Sequence, residues 1–114
     1  MSGYLTTHVL DTARGIPAAG MQITLTRLTD GVRVPLTTVT TNADGRTDEH
    51  ILPAAAFAIG EYELEFAVGD YLAANDLPTG FLNTVPLRFT MSAEDHYHVP
   101  LLVSPFSYST YRGS

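Results

Sequence analysis

The chain has 114 residues, which fits one domain over residues 1–114, and hydrophobic residues make up 45% of it, enough to form a core. With 12 acidic and 6 basic residues its formal net charge is −6, so it lacks the basic surface that nucleic acids and anionic membranes bind. It contains no lysine and no cysteine, which excludes Schiff-base chemistry, disulfides and thiolate metal ligands.

No targeting or membrane segment is predicted. Residues 1–10 contain neither the basic stretch nor the long apolar run of a secretory signal. Nowhere do about 18 apolar residues follow one another, the length that a membrane-spanning helix needs. We therefore expect a soluble, cytoplasmic protein. The lack of cysteine fits that reducing compartment, although the periplasm tolerates cysteine-free proteins equally well.

Alternation of apolar and polar residues predicts a chain built mainly of strands. In chain order these cover residues 5–10, 21–26, 61–68, 85–91, 97–103 and 107–111, with turn residues at 14–17, 29–31 and 42–45. Pro86 predicts an edge position or a bulge for the strand that contains it. A short helix is predicted around residues 70–75 with Asp70 as a candidate cap, and the alanine-rich residues 53–59 favour one more turn. Seven or eight such strands are typical of an all-β, two-sheet sandwich.

The histidines are the candidates for proton chemistry. His8 shares a strand face with Thr6, and His96 and His98 share a face because they lie two residues apart on a predicted strand. Two imidazoles on one face bind zinc, serve as acid, base and water positioner, or form structural hydrogen bonds. Spacing offers zinc no clear third ligand, so no metal is expected. His50 has no partner pattern and is interpreted as structural.

Arg46 and the C-terminus are each open to two interpretations. Arg46 follows a tight turn at residues 44–45, so its guanidinium is either a solvated surface group or a fork-shaped donor to a carbonyl or an anion. The chain ends YRGS at residues 111–114. Such a terminus is either frayed or folded back into a site. No Ser-His-acid triad follows from spacing, because Ser114 is terminal and no G-x-S-x-G elbow exists.

Four motifs resemble those of transthyretin-like proteins, in order along nearly the whole chain. The first is THVLD at 7–11 with GIPA at 15–18, the second is DGR at 44–46, and the third is HYHVPLL at 96–102. The fourth, YRGS at 111–114, matches the C-terminal tetrapeptide of the enzyme branch of that family, the 5-hydroxyisourate hydrolases. Transthyretins, the hormone carriers, lack both this tetrapeptide and the paired-histidine motif.

The resemblance implies an all-β fold: a transthyretin-like two-sheet β-sandwich of about eight strands with one short helix, assembled as a homotetramer, a dimer of dimers. It implies hydrolysis of 5-hydroxyisourate, opening its six-membered ring to 2-oxo-4-hydroxy-4-carboxy-5-ureidoimidazoline, the step after urate oxidation in purine degradation. It assigns catalysis to His8, Arg46, His98 and Ser114, and substrate binding to His8, Arg46, Tyr111 and Ser114. No cofactor is expected, because the ring carbonyl is already activated.

The chemistry of these side chains suits that reaction. His8 and His98 are suited to taking and relaying a proton from water, and Arg46 to stabilising the oxyanion. The choice of base stays open, and His96 is given a supporting role. Two other classes remain: a transthyretin-type protein that binds a small ligand without catalysis, and a purely structural β-sandwich. The tetrapeptide and the His98 motif count against the first, and the shared faces of the histidines count against the second.

Overall fold

The computed structural model describes residues 3–113, and strands are its main element. In chain order the ten strands of this range are β1 (Tyr4–Thr6), β2 (Val9–Asp11), β3 (Ile16–Pro17), β4 (Gln22–Thr29), β5 (Val32–Thr40), β6 (Gly60–Ala67), β7 (Thr84–Met91), β8 (His96–His98), β9 (Leu101–Ser104) and β10 (Ser107–Thr110). A 3-10 helix spans Ala54–Ala56 and the α-helix α1 spans Val68–Ala74. No helix in residues 3–113 is both long and apolar enough to cross a membrane.

The strands form two sheets. The antiparallel sheet has the order β5-β4-β6-β7, and the mixed sheet has the order β10-β9-β2-β3. β1 and β8 extend the mixed sheet, because hydrogen bonds from Val99 N to Thr6 O (3.0 Å) and from Leu101 N to His8 O (2.9 Å) continue the pairing across the breaks in both central strands. If β1 and β2 are counted as one interrupted strand, and β8 and β9 as another, the described range has eight strands, the number expected.

The core lies between the two sheets. Tyr62, Leu64 and Phe66 of β6 and Leu5 and Val9 of the mixed sheet are all 0% exposed and belong to one apolar cluster. Their burial follows from the alternation in sequence, since every second residue of each strand faces the opposite sheet.

The other face of the antiparallel sheet carries an ionic cluster. Glu63 is only 6% exposed although the alternation places it on the outer side of β6. Arg33 lies 2.5 Å and Arg88 3.4 Å from its carboxylate oxygens. Hydrogen bonding to Arg33 lowers the pKa of Glu63, so the carboxyl group that Arg33 and Arg88 cover is charged.

The structure confirms the predicted fold class and differs from the predicted elements in detail. β5 was not predicted, because Pro35 and a bulge opposite Leu25 and Thr26 interrupt its alternation. Helix α1 begins at Val68 rather than around Asp70, and Ala67 instead of Asp70 occupies the N-cap. The carboxylate of Asp70 falls in the first turn, where the helix dipole favours negative charge. The edge position predicted from Pro86 is confirmed, since β7 ends the antiparallel sheet.

Candidate active site

The register of the mixed sheet gathers the candidate residues. β1 pairs in parallel with β8, so Thr6 lies opposite His98. His8 lies between β1 and β2 and forms a β-bridge with Arg46, while His98 forms a β-bridge with Gly113 on its other side. The side chains of His8 and His98 are half-buried. The fold therefore brings Arg46, His8, His98 and the C-terminal segment into one cluster.

The turn before Arg46 fixes its backbone. The side-chain oxygen of Asn42 accepts hydrogen bonds from the backbone N–H groups of Asp44 (2.9 Å) and Arg46 (3.2 Å). Gly45 has a φ of 73°, and a Cβ there would collide with the carbonyl oxygen of Val9, so the position requires glycine. The side chain of Arg46 is exposed, and within residues 3–113 its guanidinium forms no ion pair. It is available to bind an anion or a developing oxyanion.

His8 has a defined tautomer. Its Nε2 lies 2.9 Å from the carbonyl oxygen of Asp44. A carbonyl only accepts hydrogen bonds, so Nε2 carries the hydrogen and Nδ1 carries the lone pair. Burial and the positive charge of Arg46 lower the pKa of His8 below its ordinary value of 6.5, against the opposing effect of Asp44. His8 is therefore neutral near pH 7.

His98 is surrounded by groups that keep it neutral. Its Nδ1 lies 2.8 Å from the hydroxyl of Thr6, and within residues 3–113 its Nε2 has no hydrogen-bond partner. Burial is the main cause that lowers the pKa of His98, followed by the charges of Arg46, His96 and His8. A neutral imidazole with a free ring nitrogen is the form that accepts a proton.

A stack of aromatic rings lies beside His98 and was not predicted from the sequence. The ring of Tyr4 is sandwiched between His96, at 4.1 Å, and His50, at 4.3 Å between centroids. His50 thus has a partner, where the sequence had indicated none. The stack depends on the parallel register of β1 with β8, which places Tyr4 opposite His96. That register cannot be predicted from the sequence of either strand alone.

The C-terminal segment is docked on the mixed sheet. The N–H of Gly113 donates to the carbonyl of His98 at 2.7 Å, and a Cβ on Gly113 would lie 2.6 Å from Cδ2 of that histidine, so glycine permits the close approach. Arg112 covers the ring of Tyr97 at 4.2 Å. Tyr111 is 58% exposed and, within residues 3–113, forms no hydrogen bond with His8, Arg46 or His98. Ser114, the fourth predicted catalytic residue, lies outside the described residues.

This arrangement combines proton acceptors with a fixed cation. Two neutral imidazoles are suited to accept a proton from water, and a guanidinium stabilises negative charge without itself titrating. Within residues 3–113 no group of three His, Asp or Glu side chains converges as a metal site would require. Fold and cluster together define a β-sandwich protein with a histidine–arginine site on its mixed sheet.

Comparison with known proteins identifies the family. Residues 5–113 match the model of the HIUase/Transthyretin family, and the chain belongs to that family. It is 60% identical to a 5-hydroxyisourate hydrolase of Mesorhizobium japonicum, over 98% of this chain and 93% of that protein. Among solved structures it is similar to the 5-hydroxyisourate hydrolase of Klebsiella pneumoniae, with 36% identity, a TM-score of 0.83 and coverage of 98% and 99% of the two chains. It also resembles an (S)-allantoin synthase, with 46% identity and a TM-score of 0.91 over 99% of this chain but only 44% of that one.

Proposed function

We propose that this protein is a hydrolase that opens the six-membered ring of 5-hydroxyisourate to give 2-oxo-4-hydroxy-4-carboxy-5-ureidoimidazoline. The observation that carries the proposal is the clustering of His8, Arg46 and His98 in a chain that is 60% identical to a protein of this activity over nearly its whole length. The alternative of a small-ligand carrier gives no reason for two imidazoles whose pKa values are lowered by the nearby guanidinium of Arg46.

The geometry supports a division of roles. A neutral imidazole, either His98 through Nε2 or His8 through Nδ1, takes a proton from water as the water oxygen attacks the ring carbonyl carbon. Arg46 faces the negative charge that develops on the carbonyl oxygen. The C–N bond of the ring then breaks, and the imidazolium returns the proton to the departing nitrogen. Water supplies every atom that is added, so the step needs no cofactor.

The C-terminal residues complete the proposed site. We assign Tyr111 and Ser114 to hydrogen bonds with the substrate edge or with the attacking water. The support for this assignment is the hydrogen bond between Gly113 and His98, which holds the C-terminal segment beside that histidine.

The assembly we propose is a homotetramer, a dimer of dimers, with the mixed sheets facing inward. On the face of that sheet that carries His8 and His98, Leu10 of β2 and Leu102 of β9 lie side by side and are only half-buried. Covering them with a second copy would remove apolar surface from water and shield the half-buried histidines. Closed symmetric assemblies of this kind are common among homo-oligomers. We also propose that the protein works in the cytoplasm and acts on the product of urate oxidation.

A coupled assay tests the activity directly. Urate oxidase generates fresh 5-hydroxyisourate, whose decay is followed by absorbance with and without the purified protein. We expect the protein to accelerate the decay, and His98→Asn to remove most of the acceleration. Thr24→Val serves as a control, because Thr24 lies on the antiparallel sheet, where its hydroxyl forms a hydrogen bond with that of Thr38. Decay at the uncatalysed rate with the intact chain would contradict the proposal and favour a binding protein.

A further inference from the structure

The hydroxyl of Thr6 bridges two imidazoles. Its Oγ1 lies 2.7 Å from Nε2 of His96 and 2.8 Å from Nδ1 of His98. The parallel register of β1 and β8 produces this arrangement, because it sets Thr6 beside His98 and one pleat away from His96 on the same face. All three side chains are half-buried, which limits competition from water.

A threonine hydroxyl has one hydrogen, so it donates to one imidazole and accepts from the other. In the first arrangement Nδ1–H of His98 donates to Thr6, and Thr6 donates to Nε2 of His96. Nε2 of His98 then holds a lone pair and is a base. In the second arrangement both bonds are reversed: Nε2–H of His96 donates to Thr6, and Thr6 donates to Nδ1 of His98.

We propose that Thr6 and His96 form a proton relay behind His98, passing to His96 the positive charge that His98 gains when it deprotonates the attacking water. The inference rests on the proposed hydrolysis. Thr6 and His96 are positioning residues, because they act on the substrate only through His98.

The relay balances at each step. As the water O–H bond breaks, its proton forms a bond to Nε2 of His98. The proton on Nδ1 of His98 moves to Oγ1 of Thr6, and the original hydroxyl proton of Thr6 moves to Nε2 of His96. His98 is then neutral and His96 is cationic. When the ring nitrogen departs, the same protons return in reverse order, so the enzyme ends as it began.

The two imidazoles have different neighbours. His96 lies flat against Tyr4, at 4.1 Å and an interplanar angle of 9°, and an aromatic face attracts a cation. The charged and titratable groups that act on His98 are Arg46, His96 and His8, and each of them disfavours a positive charge there. Within residues 3–113 neither imidazole has a carboxylate partner. A relay therefore moves the proton away from Arg46, whose own charge is needed for the oxyanion.

The test compares Thr6→Val, Thr6→Ser and His96→Gln with the intact chain and with Thr24→Val. Valine has the shape of threonine without its hydroxyl, whereas serine keeps the hydroxyl. Thr24 is matched to Thr6, being a half-buried strand threonine bonded through its hydroxyl. We expect Thr6→Val and His96→Gln each to lower kcat at least about tenfold with little change in KM. Thr6→Ser and Thr24→Val should stay within about twofold of the intact chain. Far-UV circular dichroism establishes folding.

A second measurement does not depend on activity. Nitrogen-15 NMR reports which ring nitrogen of His98 carries the hydrogen, and we expect Nδ1–H in the intact chain and in His96→Gln, but Nε2–H in Thr6→Val. Loss of kcat in Thr6→Val but not in His96→Gln would overturn the relay, leaving Thr6 to orient His98 only. Full activity in Thr6→Val, or an unchanged His98 tautomer, would overturn it outright. An inactive intact chain with the expected tautomers would instead refute the proposed hydrolysis.

Discussion

Removing residues 111–114 separates a docked, functional C-terminus from a frayed one. The deletion removes the hydrogen bond from Gly113 to His98, worth about 1 kcal/mol, and the contact of Arg112 with Tyr97, worth about 0.5–1 kcal/mol at an exposed site. The ion pair between Arg112 and Asp95 is long, at 3.9 Å, and half-exposed on both sides, so it adds nothing measurable. The free energy of unfolding should fall by about 2 kcal/mol, which lowers Tm by roughly 10 °C. The truncated protein should remain folded at 25 °C.

Activity should fall far more than stability. Losing Tyr111 and Ser114 removes two groups proposed to position the substrate, and kcat/KM should drop by at least about 100-fold. The decay of fresh 5-hydroxyisourate measures this at a temperature where circular dichroism shows native protein. Arg112→Ala is the matched control, because it removes the contact with Tyr97 but keeps both substrate contacts. A folded, truncated chain that works at the full rate would refute the proposed role of the tetrapeptide.

Four further predictions concern the site and the proposed assembly. Arg46→Gln should lower kcat/KM about 10²–10³-fold through loss of an oxyanion donor, whereas Arg88→Gln, the same change of charge on the antiparallel sheet, should not. In the intact enzyme kcat/KM should fall as pH drops through the pKa values of His8 and His98, which lie below the ordinary histidine value, because protonation removes the base. In Arg46→Gln this acid limb should move to higher pH. Light scattering should give about four chains per particle, and a fully active 12.3 kDa monomer would contradict the proposed assembly. Chelators should leave activity unchanged, and loss of activity on removal of a metal would contradict the expectation that none is needed.

The sequence predicted those features that depend on neighbours along the chain. Period-two alternation located β4, β6 and β7 and assigned the faces of β1 and β8. Leu5, Thr7 and Val9 are indeed buried, and Thr6 and His8 are turned to the other side. Such predictions succeed because the side-chain period of a strand is a local property that burial enforces.

What escaped prediction depends on pairing between distant segments. The bond between Thr6 and His98 joins residues 92 positions apart, and the stack of Tyr4 on His50 exists only once those segments are side by side. The alternation is consistent with the position of Glu63 on the outer face of β6, but its burial requires Arg33 from β5, the strand that the alternation missed. Neither strand by itself encodes the partner it will meet, so contacts between them are not readable from either pattern.

The core and the site nevertheless depend on the same strands, and this coupling protects the site. In β1 and the residues after it, odd positions such as Leu5 and Val9 fill the core, while even positions such as Thr6 and His8 lie on the other face, in the proposed site. A shift of the pairing by one residue would turn His8 inward and Val9 outward, exchanging a completely buried apolar side chain for an imidazole with no partner. Exposing one such side chain costs about 1.5–3 kcal/mol before the cost of burying the imidazole is added. The apolar face therefore fixes the register on which Arg46, His8, Thr6 and His98 meet, even though none of these four contributes to the core.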